Sequence, residues 1–200
     1  IGAKLEVVKM SGWSRDQFFD DTGLPFVLPS PNIPTLDSAI VYLGTVLFEG
    51  TNVSEGRGTT KPFELVGAPW VDPEPFAAEL NALGLPGVHL RPALFEPTFH
   101  KHAKVPCGGC QIHITDRRAI QPVAVGVALL QAFQRADRHR FEWREPPYEY
   151  EYHLLPIDIL AGSSDLRERL DHDEDAVAIA RSWTASLEAF LPIRSQFLLY

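Results

Sequence analysis

Hydrophobic and polar positions change period several times along the chain, and each change predicts an element. Residues 1–10, IGAKLEVVKM, are β-rich at Leu5–Val8 and predict a short strand. The segment 23–39, GLPFVLPSPNIPTLDSA, carries four prolines and predicts extended, polyproline-like chain. Thr35 then reads as an N-cap, with Asp37 in the first turn of a helix whose apolar stripe is Ala39, Ile40, Leu43 and Leu47. That helix ends near Gly50. Phe63–Val66 predicts a strand. Asp72-Pro73 opens a helix through Phe76, Leu80 and Leu83, stopped at Gly84. Val88–Phe95 reads as a strand or extended segment, and Gln111–Thr115 as a strand, with Ile112 and Ile114 alternating against Gln111, His113 and Thr115. Pro122 opens a helix with Val123, Val127, Leu130 and Phe133 on one face. A small helix falls near 164–170. The last helix starts near Asp173 with the stripe Val177, Ala180, Trp183, Leu187 and Leu191. Gln196–Tyr200 closes the chain as a strand.

Alternating strands and helices give an α/β class, read here as one compact domain over residues 1–200. Composition narrows what such a domain can do. Eighteen basic against 26 acidic residues leave a net charge of −8, so the footprint of a nucleic-acid binder is absent. No apolar run reaches the ~18 residues a membrane span requires. Two cysteines do not make a disulfide framework. Twelve of the 17 prolines lie between Pro25 and Pro106, which predicts long ordered loops, and loops on a rigid scaffold carry sites. The chain begins at Ile1 in what reads as mid-strand, so it is expected to be part of a larger protein.

Three segments hold the candidate chemistry. In EGTNVSEGRGTTK (49–61), Glu49, Asn52, Glu55, Arg57 and Thr59 sit among glycines that let backbone approach a ligand. Carboxylates and amides hold sugar hydroxyls, and an arginine grips a carboxylate through two bonds. The same residues also suit a solvated loop with an internal Glu–Arg pair. The second segment, HKHAKVPCGGCQIHITDRR (100–118), concentrates His100, His102, Cys107, Cys110 and His113. That density fits zinc and a CxxC redox pair as alternatives to ordinary side chains. The spacing matches no standard finger, no helix follows the CxxC, and Lys101 and Lys104 would repel a cation. His113 and Gln111 point away from the core face of their strand and are candidate ligand contacts. The third, EWREPPYEYEYH (142–153), reads as a solvated loop, with a saccharide platform as the alternative.

Taken together, GLPFVLPSPNIPTLDSA, EGTNVSEGRGTTKPFELVGAPW (49–70), CGGCQIHITDRR and the terminal QFLLY resemble the C-terminal half of the NamZ-like exo-β-N-acetylmuramidases, bacterial peptidoglycan glycosidases. The resemblance spans essentially the whole chain, and it departs at Cys110, where an apolar residue is expected. It implies a C-terminal α/β lobe facing a Rossmann-like N-terminal lobe that this chain lacks, with the active site between them and the principal catalytic glutamate on the other lobe. It implies a peptidoglycan-derived saccharide (MurNAc-GlcNAc) as ligand, release of MurNAc from its non-reducing end, an extracytoplasmic location, and no metal or cofactor. Within this sequence, Glu55 and then Glu49 are the candidates for a second catalytic carboxylate, weighed against a ligand-holding or loop-organising role for both. Asn52, Arg57, Thr59, Gln111 and His113 are the candidate saccharide contacts, with Arg57 as the clamp for the lactyl carboxylate of muramic acid. A binding module without turnover, or less favourably a zinc domain, is the alternative.

Overall fold

A computed structural model describes residues 2–200. They form two units. One comprises residues 28–182, and the other joins the first 27 residues to 183–200.

The larger unit is built on a three-stranded antiparallel sheet in the order β1-β3-β2, from Leu65–Ala68, Val88–Phe95 and Cys107–Ile114. The central strand β3 is longer than alternation alone predicts, because it takes in Cys107-Gly108-Gly109-Cys110. These four residues are buried. A Cβ on Gly109 would lie 2.0 Å from the Val66 carbonyl oxygen, so a side chain there would separate β3 from β1. The predicted strand at Phe63–Val66 begins two residues later, since Phe63 takes a left-handed φ of 64°.

Helix α1 (Leu36–Thr45) starts where its cap predicts: the Thr35 hydroxyl accepts from the Ser38 N–H at 3.0 Å. It runs on through a tighter turn, Val46–Gly50. Its buried face is Ser38, Val41, Gly44 and Thr45; of the expected stripe Leu47 is buried, Ala39 and Ile40 are half-buried, and Leu43 is 59% exposed. Two things rotate the helix. Thr35 and Ser38 both donate to the buried carboxylate of Glu64, at 2.7 and 2.6 Å. Gly44 also allows backbone contact with helix α3 (Pro122–Ala136). Helix α3 is the spine of the unit. Val125 through Gln131 are all buried, so it has no solvent stripe at its middle, while the predicted core residue Val123 is exposed.

Helix α2 (Pro73–Ala82) is capped by Asp72, whose side chain accepts from the Glu74 N–H, and Gly84 follows it at φ 63°. Two short helices, α4 (Pro156–Ala161) and α5 (Asp165–Asp171), precede α6 (Ala176–Ser182). The cap of α6 is Asp175, accepting from the Ala178 N–H at 2.8 Å, and not Asp173. Asp173 sits at φ 60° and pairs with Arg135 and Arg138. Buried Gln131 fixes the α6 start by donating to the Glu174 carbonyl and accepting from the Ala176 N–H.

The predicted long terminal helix is therefore two helices. The second, α7 (Thr184–Ser195), belongs to the smaller unit and buries none of its residues there. In that unit the predicted strands at Leu5–Val8 and Gln196–Tyr200 do not form. Its chain ends meet instead through Trp13 and Tyr200, edge to face at 5.4 Å, and through the Met10 N–H donating to the Tyr200 hydroxyl. Among the described residues no helix is long and apolar enough to cross a membrane.

Candidate functional site

The loop 49–61 is far less solvated than its composition implies. Ser54 pairs with Gly67 of β1, which draws the loop into the body of the unit, and Val53, Ser54, Glu55 and Gly56 are buried. A second loop, residues 98–105, lies against it. The Thr98 N–H and hydroxyl both donate to the Gly58 carbonyl, at 2.9 and 2.8 Å. Gly58 has φ 82°, and a Cβ there would sit 2.7 Å from Phe99 backbone, so the joint requires glycine. Within the second loop His100, His102 and Lys104 all adopt left-handed φ values. Such conformations persist in non-glycine residues only where surrounding bonds enforce them.

His102 is bonded to the Asn52 carbonyl and the Lys104 N–H to the Pro97 carbonyl, while His100 and its neighbour Lys101 turn to Glu55, whose side chain is fully buried. Its Oε1 faces Arg57 Nε at 3.0 Å and His100 Nδ1 at 3.3 Å, and its Oε2 accepts from Lys101 Nζ at 2.8 Å. Lys101 spends its other two protons on the carbonyls of Phe48 and Val53, at 2.7 and 3.1 Å. Burial pushes the Glu55 carboxyl upward, but the His100 hydrogen bond and the Lys101 charge outweigh it and hold the group at about 2. Lys101 moves down, because burial outweighs the attraction of Glu55. At neutral pH Glu55 is an ionised anchor.

Arg57 extends the network outward. Its Nε meets Glu55, and one terminal nitrogen donates to Glu49. Glu49 accepts in turn from the Tyr148 hydroxyl at 2.7 Å. Burial, that bond and the charges of Glu49 and Glu149 raise the Tyr148 pKa, so its proton stays in place. Glu49, Arg57, His100, Arg144, Tyr148 and Glu149 line an open cleft of about 310 Å³. A neighbouring depression of about 500 Å³ shares His100 and Arg144 and adds Thr51, His102 and Trp143.

The other candidates fall elsewhere. Asn52 borders the second depression, but its amide is committed: it donates to the Arg140 carbonyl at 2.7 Å and accepts from the Glu142 N–H at 3.1 Å. The Thr59 hydroxyl closes its own turn on the Gly56 carbonyl. Gln111 lies on β3 and accepts from Arg91 at 2.7 Å. His113, opposite His89, has a buried Nε2 without a hydrogen-bond partner among the described residues. Among the described residues no hydrogen bond or ion pair links Gln111 or His113 to Glu55 or Arg57.

The zinc alternative is corrected by geometry. His100 is turned to Glu55, His102 Nε2 is bonded to the Asn52 carbonyl at 2.7 Å, and Cys107 and Cys110, three apart on a strand, face opposite sides of the sheet. Among the described residues no group of three histidine, cysteine or acidic side chains is arranged to hold a metal. The redox alternative fails on the same ground. Burial also pushes the Cys107 thiol up to about 11 and Cys110 higher still. Both thiols should therefore resist an aromatic disulfide reagent at mildly alkaline pH in the folded protein, and both should react after unfolding in guanidinium. Rapid release from the native state would contradict this packing.

Sequence reasoning missed Lys101, Arg144 and Tyr148 as site members. Lys101 reads in the sequence as a repulsive charge near a metal, and Arg144 and Tyr148 lie inside a segment that reads as solvated. The family described as exo-β-N-acetylmuramidase NamZ, C-terminal, matches residues 40–200, and its N-terminal counterpart matches residues 1–37. The chain belongs to the NamZ exo-β-N-acetylmuramidase family. It is 42% identical over all 200 residues to the peptidoglycan β-N-acetylmuramidase NamZ of Bacillus subtilis, and spans 46% of that protein. The solved structure of a DUF1343 family protein from Bacteroides fragilis overlays 98% of this chain and half of its own, with a TM-score of 0.84 at 28% identity. A second such protein from the same organism shares the fold, with a TM-score of 0.61 at 23% identity over 86% of this chain and 43% of its own. NamZ membership and these overlays support the α/β assignment.

Proposed function

We propose that this chain is the substrate-domain half of an exo-acting N-acetylmuramidase, one that releases MurNAc from the non-reducing end of peptidoglycan fragments. The observation that carries this reading is identity at 42% along the entire chain to a peptidoglycan β-N-acetylmuramidase. The cleft at Glu49, Arg57 and Tyr148 is suited to a saccharide, with a carboxylate, a guanidinium and a phenol fixed by mutual bonds before a ligand arrives.

Glycoside cleavage requires a proton donor and, in most families, a second carboxylate. Glu55 suits neither role, since it is ionised and sealed from the cleft; in this reading it is a positioning residue that holds Arg57 and the 98–105 loop. Glu49 reaches the cleft and organises the ligand. The general acid then comes from the remainder of the parent protein, consistent with a Rossmann-like partner lobe, and this chain alone binds without hydrolysis.

The test is the parent protein on a chromogenic MurNAc glycoside. MurNAc release is expected, and none at any pH would refute the assignment. Glu49→Gln in that protein should raise KM with kcat held within about tenfold. A collapse of kcat at unchanged KM would make Glu49 a catalytic residue instead. Titration of the isolated chain with muropeptide fragments should give binding only; turnover by it would contradict the division of labour.

A further inference from the structure

Among the described residues, Arg57 and Lys101 beside the cleft are both paired with carboxylates of this chain. Arg57 is gripped by Glu49 and Glu55, with the Phe63 ring 5.2 Å from its guanidinium carbon. All three Lys101 protons are used, and His100 faces Glu55. Arg57 is thus a strut of the wall, with its charge cancelled by carboxylates of this same chain. A ligand carboxylate brought to it would compete with two acids already in place.

Arg144 differs. Its side chain has no acidic partner within ion-pair distance among the described residues. It is nevertheless placed. Its N–H donates to the Gly50 carbonyl at 2.9 Å, tying its backbone to the end of the turn that carries Glu49. Its guanidinium lies 6.0 Å from the centre of the Tyr148 ring, at the outer range of a cation–π contact, and that ring is pinned by its hydroxyl bond to Glu49. Arg144 also lines both depressions, so a group seated in either one meets it. Glu149 on the rim of the first depression and Glu142 and Glu145 on the rim of the second are exposed to solvent and disfavour an anion at those edges, which leaves the Arg144 guanidinium itself as its seat.

We propose that Arg144, rather than Arg57, is the specificity-determining residue of this cleft, and that it recognises the carboxylate of an acidic amino sugar. The inference rests on the saccharide-cleft reading above, and it separates two sugars that differ only by a carboxylate-bearing ether. A planar guanidinium with free donors takes a carboxylate through two parallel bonds, and a sugar lacking that group gains nothing from it.

The experiment compares the parent protein with Arg144→Ala and Arg144→Lys. Calorimetric titration uses N-acetylmuramic acid and N-acetylglucosamine, and turnover uses their chromogenic β-glycosides. Wild type should bind the acid more tightly. Arg144→Ala should lower affinity for the acid by about ten- to a hundredfold, the worth of a charged hydrogen bond, and leave N-acetylglucosamine unchanged. Arg144→Lys should recover only part, having lost the planar fork. Kinetically the loss belongs in KM, with kcat retained. Preference for the acid undiminished in Arg144→Ala overturns the proposal, even if MurNAc release confirms the activity. Equal binding of both sugars by wild type overturns it too. Carboxylate-dependent binding lost in Arg144→Ala, in a protein that hydrolyses neither glycoside, sustains the proposal and refutes the hydrolase reading alone.

Discussion

Glu55→Gln is expected to lower the unfolding free energy of the protein by about 3–5 kcal/mol, the usual cost of removing one partner from a buried ion pair. Glutamine keeps the shape and an acceptor for Lys101, but it leaves the buried ammonium and the inner face of Arg57 without a counter-charge. The pH dependence supplies the sign. The folded carboxyl titrates at about 2, below its ordinary 4.5, so its stabilisation is fully present above that ordinary value. It fades as pH falls from about 4.5 toward 2, a loss of the order of 3 kcal/mol. Other acids with lowered pKa, Glu64 among them, add to acid sensitivity in wild type and variant alike. The difference between the two urea-unfolding curves therefore isolates Glu55. It should be largest near neutrality and shrink in acid. A difference that stays constant with pH, or one below about 1 kcal/mol at neutral pH, would remove Glu55 from the centre of the network.

Gly44→Ala should cost about 3 kcal/mol, although alanine is the better helix former by roughly 1 kcal/mol. The added carbon would lie 1.9 Å from the Pro122 carbonyl oxygen, and the matching glycine, Gly126, presents its own Cβ position 2.4 Å from the Gly44 carbonyl oxygen. Both obstacles are backbone, which has no rotamer to yield, so α1 and α3 must part. Leu43→Ala, one residue away and 59% exposed, serves as the control and should change stability by no more than about 0.5 kcal/mol. Equal effects at the two positions in chemical denaturation would mean that the helix crossing is not limited by this contact.

These two cases also mark what the sequence can and cannot disclose. Local chemistry was legible: Thr35 and Asp72 as caps, Pro122 as a helix start, and Val88–Phe95 as a strand with the observed bounds. Each depends on residues within one turn of one another. The rotation of α1 was not legible, because it is set by Glu64, 26 residues beyond Ser38, and by a glycine on α3. The terminal helix failed for a similar reason. Val177 through Leu191 keep a helical period across a break at Trp183 that the apolar spacing does not signal. At the site, composition singled out the 49–61 loop and a Glu–Arg pair inside it, and the structure pairs Arg57 with both Glu49 and Glu55. Burial inverted the roles within that pair's surroundings. The charge count of the loop suggested solvent, whereas the donors that make its burial possible, the Lys101 ammonium and the His100 ring, arrive from the second loop.

That arrival has a consequence for transplanting the cleft. Loop 98–105 is held to residues 48–58 through Thr98 on the Gly58 carbonyl, His100 and Lys101 on Glu55, Lys101 on the Phe48 and Val53 carbonyls, and His102 on the Asn52 carbonyl. Neither loop is a module. A chimera that exchanges one of them between family members inherits a backbone whose restraints remain on the other parent. Exchanging both together carries the lock with its key, so recombination breakpoints that keep 48–58 and 98–105 from the same source should yield folded hybrids where breakpoints between them do not.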